Sequence, residues 1–435
     1  MPRRTTPIFC LRFSRGPQAL LYFAGGVLVT FVAPPTLCDE GGSMSKVVRG
    51  VVAGVLLASA GLGCGDNQRS IDLSWNDPSL IDEGRDVFRY ETFGDEAYWT
   101  GVLHLEQVIA DVLDPRMALT IGLKVDADAL PDGLIQTADL ESMATTIALL
   151  KMDAVIGLKG TVVTGEDGVD KLTAVGVTCA LCHSTVDDST APGIGHRLDG
   201  WPNRDLDPGA IIALSPALTT DQKVVYSSWG RGRFDPRYNQ DGFNGPVLIP
   251  PAYGLRNAPL ATYTGDGDIR YWNDYVAVTQ MGGQGAFRDD RLGIDHQLPP
   301  GTPELVEPTL EPLRSYQFSL QAPVAPDGSF DADAAARGRD VFEARCVRCH
   351  APDDGYSGLA LYSPRETGMD PTHADRSATK AYRATPLRGL QHHAPYFHDG
   401  SAPTLEAVVD RYDAVLDLAL PNAEKAELVE FLRTL

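Results

Sequence analysis

Two pentapeptides share the pattern Cys-x-x-Cys-His: Cys179-Ala-Leu-Cys182-His183 and Cys346-Val-Arg-Cys349-His350. Thiols at this spacing can each add across one vinyl group of a porphyrin, and the adjoining imidazole is then held beneath the iron. The pattern is therefore that of covalent c-type haem attachment. Zinc sites and thioredoxin-like redox pairs also use Cys-x-x-Cys. Paired zinc motifs sit closer together, however, and neither chemistry needs a histidine directly after each pair. The chain has seven cysteines, and the other three, Cys10, Cys38 and Cys64, all precede the globular part. No thiol is left there for a disulfide, so cysteine serves cofactor attachment rather than cross-linking. The expectation is two covalently bound haem c groups, with His183 and His350 as iron ligands.

The elements that must position these motifs begin with a repeat. Gly84-Arg-Asp-Val-Phe88 and Gly338-Arg-Asp-Val-Phe342 are identical. In the second copy, residues 334–344 form a helical pattern that runs straight into Cys346, the way a small cytochrome c domain opens. In the first copy a long insertion separates the same helix from Cys179. Within it, residues 93–113 predict a long helix and 143–150 a shorter one. Residues 155–163 and 172–178, flanking Gly165-Glu-Asp-Gly168, predict a hairpin that delivers the chain to Cys179. The stretch 185–300, rich in Gly, Pro, Asn and Asp, predicts long ordered loops. Closing helices are expected over 404–416 and 422–435. The fold class is mainly α: two cytochrome c-like domains, the N-terminal one carrying long loop and hairpin insertions. The boundaries are an N-terminal haem domain over 76–320, a linker over 321–331 with Pro323, Pro326 and Gly328, and a C-terminal cytochrome c domain over 332–435.

Residues 44–63 carry Lys46 and Arg49 ahead of a short apolar run, the form of a secretory signal peptide. Cys64 after Leu62-Gly63 resembles a lipobox, with Gly61 where Leu is usual; its acylation would anchor the protein to a membrane, and plain cleavage nearby would release it into the periplasm. Residues 64–75 then form a linker. Residues 1–43 read most simply as a mis-called extension before Met44. Their apolar stretch 19–33 is the alternative anchor, though short for that role. Export agrees with haem attachment, which in bacteria takes place outside the cytoplasm.

With 37 basic against 58 acidic residues the chain carries a formal charge of −21. A polyanion would be repelled, which excludes nucleic acid as a partner. An acidic surface serves solubility or docking of a basic electron-transfer protein.

Residues 385–409, with Pro395-Tyr396-Phe397-His398-Asp399-Gly400 at their centre, resemble a signature of bacterial dihaem cytochrome c peroxidases. Relatives of that family include the methylamine dehydrogenase maturation enzyme and rubber oxygenases. The resemblance covers most of 332–435 and covers 76–320 in outline. It implies peroxide meeting the N-terminal haem, and electrons from a small cytochrome c or cupredoxin entering through the C-terminal one. It implies Tyr412 as the distal ligand of the C-terminal haem, with Met369, His373, His392 and His393 as rivals. It implies His196 as a displaceable cap on the N-terminal haem. It also implies Ca²⁺ between the domains, held by Asn244 and the carbonyls of His393 and Pro395. Two departures from the family pattern stand out. No glutamate occurs between residues 183 and 303; Gln280, Gln284, Asp289 and Asp290 lie in the right stretch, where an Asp could take the proton-transfer role but a Gln cannot move protons the same way. The interhaem tryptophan of the family falls near Thr264, with Trp272 close by. The implied activity is that of a peroxide-reducing haem oxidoreductase. A dihaem oxidase or oxygenase acting on an organic or protein substrate, and a non-catalytic electron carrier, are the alternatives.

Overall fold

The computed structural model describes residues 74–435 apart from Asn257, Asp353 and Asp354, together with a two-residue strand pair, Gln18–Ala19 with Phe31–Val32. The expected signal peptide, Cys64 and the expected linker up to residue 73 lie outside the described residues.

Both copies of the repeated pentapeptide are helical, and both cross a second helix at the same place. The first lies in Pro78–Tyr90, which starts with a proline in its first turn and an Asp77 side chain capping Ser79 N. The second lies in Ala332–Arg345, capped by Asp331 through Ala334 N. A β-carbon on Gly84 would lie 1.9 Å from the carbonyl oxygen of Pro312, in the Leu310–Ser319 helix. A β-carbon on Gly338 would lie 1.9 Å from the carbonyl oxygen of Glu427, in the Asn422–Arg433 helix. In each case only glycine lets the two backbones approach so closely. The phenylalanine four residues on closes the crossing: Phe88 packs against Tyr316 at 5.5 Å between ring centroids, and Phe342 against Phe431 at 5.1 Å. The repeat is thus structural, and the closing helix of its first copy is Leu310–Ser319, an element not anticipated from sequence.

Two hydrophobic clusters form around these crossings. The larger gathers residues from Val87 to Tyr316, and the smaller gathers Phe342, Leu390, Leu405, Val409 and residues of the last helix. Residues 321–331 between them carry no helix or strand.

The hairpin forms as expected, Leu158–Thr164 pairing antiparallel with Asp170–Val177. It leads directly into the short helix Ala180–His183. The long helix expected over 93–113 does not form. It is replaced by Glu96–Trp99 and Leu105–Asp111, with Gly94 ahead of the first and His104 between the two, both at positive φ. Such residues end a helix whatever the apolar spacing around them. The 185–300 stretch contains more helix than expected: Pro208–Ala213, Thr220–Ser227 and Ile269–Val276, the last running into a π-helical turn at Ala277–Met281. Asp207, Thr219 and Asp268 cap these three helices, so residues read as loop formers act here as helix starters. The sheets among the described residues are all two-stranded. The fold is therefore helical with small sheets.

Candidate functional site

Both pentapeptides open onto one cavity of about 770 Å³. Cys179, Cys182 and His183 line it from the larger cluster, and Cys346, Cys349 and His350 from the smaller. None of the four cysteines forms a disulfide. Burial raises the Cys179 and Cys182 thiols to about 12 and Cys346 to about 11, which leaves them neutral at physiological pH.

The two histidines are held alike. Nδ1 of His183 lies 3.1 Å from the carbonyl oxygen of Pro250, and Nδ1 of His350 lies 2.8 Å from that of Tyr356. A carbonyl can only accept, so each Nδ1 carries the proton and each Nε2 keeps a free lone pair. That is the tautomer and orientation a metal-ligating imidazole needs. Burial keeps both rings neutral, lowering His183 to about 4 and His350 below its ordinary value. The loop after the first motif folds back onto it. Gly200 N donates to the His183 carbonyl at 2.8 Å, and Asn203 N to the Cys182 carbonyl at 2.9 Å.

The wall also fits the carboxylates of a porphyrin. Five arginines line the cavity, Arg204, Arg345, Arg348, Arg383 and Arg388, against a single carboxylate, Glu366. Nε and one terminal nitrogen of Arg204 are buried with no partner, as are the Trp272 indole nitrogen and the Tyr253 hydroxyl. Buried donors left unpaired in this way are costly, and an anionic cofactor would satisfy them.

Four of the five residues expected around the second motif line the shared cavity. Tyr412, on the Leu405–Leu416 helix, lines the cavity, and Met369, His373 and His393 line it too. Burial, reinforced by the Cys349 and Cys346 thiols, raises the Tyr412 phenol to about 12, and its ring packs against Phe397 at 5.7 Å. His373 is buried with Nδ1 unpartnered and stacks on His398 at 5.6 Å. His392 instead packs on Trp201 at 4.8 Å, away from the lining.

Around the first motif the picture differs. His196 is outside the lining; its side chain is 62% exposed and its Nδ1 lies 2.9 Å from Asp128 Oδ1. That hydrogen bond and the Asp128 charge raise its pKa. Asp289 is also outside the lining. It is buried and bound by Arg291 and Tyr271, and although burial alone would raise its pKa, these partners hold it at about 2. A carboxylate so committed is a poor proton carrier. Gln280 does line the cavity, on the π-helical turn, with Nε2 donating to Thr279 Oγ1 at 2.9 Å and Asn239 Oδ1 at 3.1 Å. Trp272 lines the cavity, whereas Thr264 is buried against Asp266. Among the described lining residues before Leu320 there is no carboxylate and no histidine besides His183.

Two of the three oxygens expected to hold Ca²⁺, those of Asn244 and His393, have other partners. Asn244 Oδ1 accepts from the Trp229 indole at 3.0 Å, and the His393 carbonyl accepts from Arg204 at 3.4 Å. A guanidinium on a carbonyl opposes a cation there, so these groups do not fit Ca²⁺ as they stand.

Sequence reasoning missed Arg204, Arg383, Arg388 and Tyr253. Isolated arginines on loops carry no motif, and an excess of cations against a −21 chain becomes visible only once the wall is assembled.

Comparison with known proteins agrees with this geometry. Residues 381–413 match a family model described as RoxA-like, cytochrome c-like, so a cytochrome c-like domain is present. The chain is 32% identical over 136 residues to a cytochrome c551 peroxidase of Nitrosomonas europaea, a match covering 26% of this chain and 40% of that one. It is 27% identical over 151 residues to the methylamine utilization protein MauG of Methylophilus methylotrophus (28% of this chain, 45% of that one). It is 29% identical over 151 residues to MauG of Methylorubrum extorquens (28% and 42%). The chain thus spans less than half the length of these relatives. Two solved structures also match. A Kuenenia stuttgartiensis hydrazine synthase has a TM-score of 0.31 at 19% identity, covering 45% of this chain and 74% of that one. A MauG-like protein associated with microbial copper homeostasis has a TM-score of 0.30 at 20% identity, covering 45% and 75%. A peroxidase, two MauG proteins and a cytochrome c-like model match a chain whose two Cys-x-x-Cys-His motifs share one cavity, and the chain is related to the dihaem cytochrome c peroxidase family.

Proposed function

We propose that both pentapeptides carry covalent haem and that the chain is an exported dihaem oxidoreductase. In this reading H₂O₂ is reduced at the haem of Cys179, Cys182 and His183, and electrons enter through the haem of Cys346, Cys349 and His350. The observation that carries it is the matched anchoring of His183 and His350, each with Nδ1 on a main-chain carbonyl and both in one cavity. Bound haem would supply the redox chemistry. In this reading the chain's residues fix the tautomer of each histidine, and Tyr412, in the same cavity, would serve the haem of the second motif as a ligand. Reduction of H₂O₂ to two waters consumes two electrons and two protons. The electrons come from a small basic cytochrome c or cupredoxin attracted to the acidic surface. Export uses residues 44–63, with Cys64 as the lipid anchor. Residues 76–320 and 332–435 act as the two haem domains.

A second reading, oxidation of an organic or protein substrate, is favoured by the part of the lining contributed before Leu320, whose described residues include no carboxylate and no histidine besides His183. Without such a group, peroxide reduction loses a contribution of roughly a hundredfold or more. Mass spectrometry should show two covalent haems. Stopped-flow mixing of the half-reduced protein with H₂O₂ should then give spectral change and turnover. Absence of any reaction with peroxide in every redox state would leave oxygen-dependent oxidation or electron transfer in its place.

A further inference from the structure

Six buried or half-buried arginines fall into two groups. Arg197, Arg237 and Arg376 each pair with an aspartate, Asp126, Asp266 and Asp235, at 2.7–2.9 Å. Arg204, Arg383 and Arg388 do not, although the chain carries 58 acidic residues, and all three line the cavity. Arg388 donates to the carbonyls of Gly254 at 2.6 Å and Arg256 at 2.8 Å. Arg383 donates to the Thr262 carbonyl and, at 3.3 Å, to Ser357 Oγ. Arg204 donates through one terminal nitrogen to the His393 carbonyl, and its Nε and other terminal nitrogen are buried with no carboxylate partner, the Tyr263 side chain lying beside the guanidinium. Burial lowers the pKa of Arg204, and lowers Arg383 to about 10, the mark of cations without a counter-charge. A guanidinium needs an anion to offset such desolvation, and its fork matches a carboxylate.

Arg204 reaches both halves of the cavity. Its neighbour Asn203 is bonded to the Cys182 carbonyl of the first motif, and its own guanidinium rests on His393, in the segment that follows the second motif. We infer that Arg204 is a shared counter-charge for haem propionates from both motifs, with Arg383 and Arg388 completing the carboxylate cradle, and that it sets the reduction potentials of the two haems together. The inference rests on the reading that both motifs carry haem. A cation in a low-dielectric cavity opposes the extra positive charge of oxidised iron, so its removal lowers the potential.

The test uses the full-length haem protein. Mass spectrometry of the wild type comes first, followed by spectroelectrochemical titration of wild type, Arg204→Gln, Arg204→Lys and Arg231→Gln. Arg231 is exposed and outside the cavity lining. The expected result is two haems throughout and a downward shift of both potentials in Arg204→Gln. Arg204→Lys should keep most of the wild-type potential, and Arg231→Gln should match the wild type. Two haems with unshifted potentials in Arg204→Gln would overturn the Arg204 assignment alone, and fewer than two haems in the wild type would overturn the haem reading beneath it. A shift confined to one haem would overturn the shared role. If Arg204→Gln does not mature, redox-difference infrared spectra of wild type labelled with ¹⁵N-arginine decide. Arginine-sensitive bands that move on reduction support the assignment, and their absence overturns it.

Discussion

At the scale of single residues, Tyr412 and Asp95 each make a prediction. Tyr412 is the cavity residue whose phenol feels both thiols of the second motif. If it ligates iron as phenolate, Tyr412→Phe should abolish the tyrosinate-type absorption and raise the potential of that haem. An unchanged spectrum would make it a core aromatic and pass the role to Met369 or His373. Asp95 is buried, has no cationic partner among the described residues and accepts long bonds from Val177 N at 3.2 and 3.3 Å, with the Trp99 indole beside it. Burial, with the nearby Glu96 charge, raises it to about 9. The folded state therefore holds a proton that the unfolded chain has lost above its ordinary value of 3.8. Stability from this group is complete below that value and is lost as pH rises towards the folded-state value of about 9. Asp95→Asn should remove this loss, so its Tm should exceed the wild type's more at pH 8 than at pH 5. An equal difference at both pH values would count against a protonated Asp95.

At the scale of elements, the two glycine crossings hold the helices that lead into or support each motif. A methyl group at Gly84 or Gly338 meets a backbone carbonyl rather than a movable side chain. Overpacking of this kind costs typically about 1–3 kcal/mol. Gly338→Ala should show it as a lower midpoint in denaturant unfolding, and Gly84→Ala should show a similar loss. An undiminished midpoint for either would mean that its crossing can open without penalty. The repeat was legible because identical residues recur in the same place before both motifs. The partner Leu310–Ser319 was not, since nothing in its sequence names the helix it crosses, some 230 residues upstream.

At the scale of the molecule, a charge network joins the segment after the second motif to the loops of the first. Arg376 binds Asp235 at 2.9 Å and Asp241 at 2.7 Å, with Asp235 fully buried. Asp266, paired with Arg237, also accepts Ala378 N at 2.8 Å. Arg376→Ala would leave the Asp235 carboxylate buried and unpaired, a loss of roughly 3–5 kcal/mol for a broken buried pair. The expected readout is a lower Tm together with altered haem potentials, since the network borders the shared cavity. A Tm within a degree of the wild type would show that water or another cation replaces the guanidinium.

What the sequence determined by itself was the local chemistry. Cys-x-x-Cys-His is a short, rare pattern whose meaning is held within five residues, and the hairpin and closing helices follow from periodicity and turn residues that act over a few positions. What only the tertiary structure decided was which distant groups meet. Asp207, Thr219 and Asp268 became helix caps because packing supplied the rest of each helix. His196 and Asp289 stand in the right stretch of chain, yet each is committed to a partner away from the cavity, Asp128 in one case and Arg291 in the other. Arg204 has no signature at all; it becomes meaningful because folding buries its charge without a carboxylate and sets it between the two motifs. Spacing along a chain records neighbours in sequence. The cost of an unpaired charge depends on neighbours in space, and only the fold assembles those.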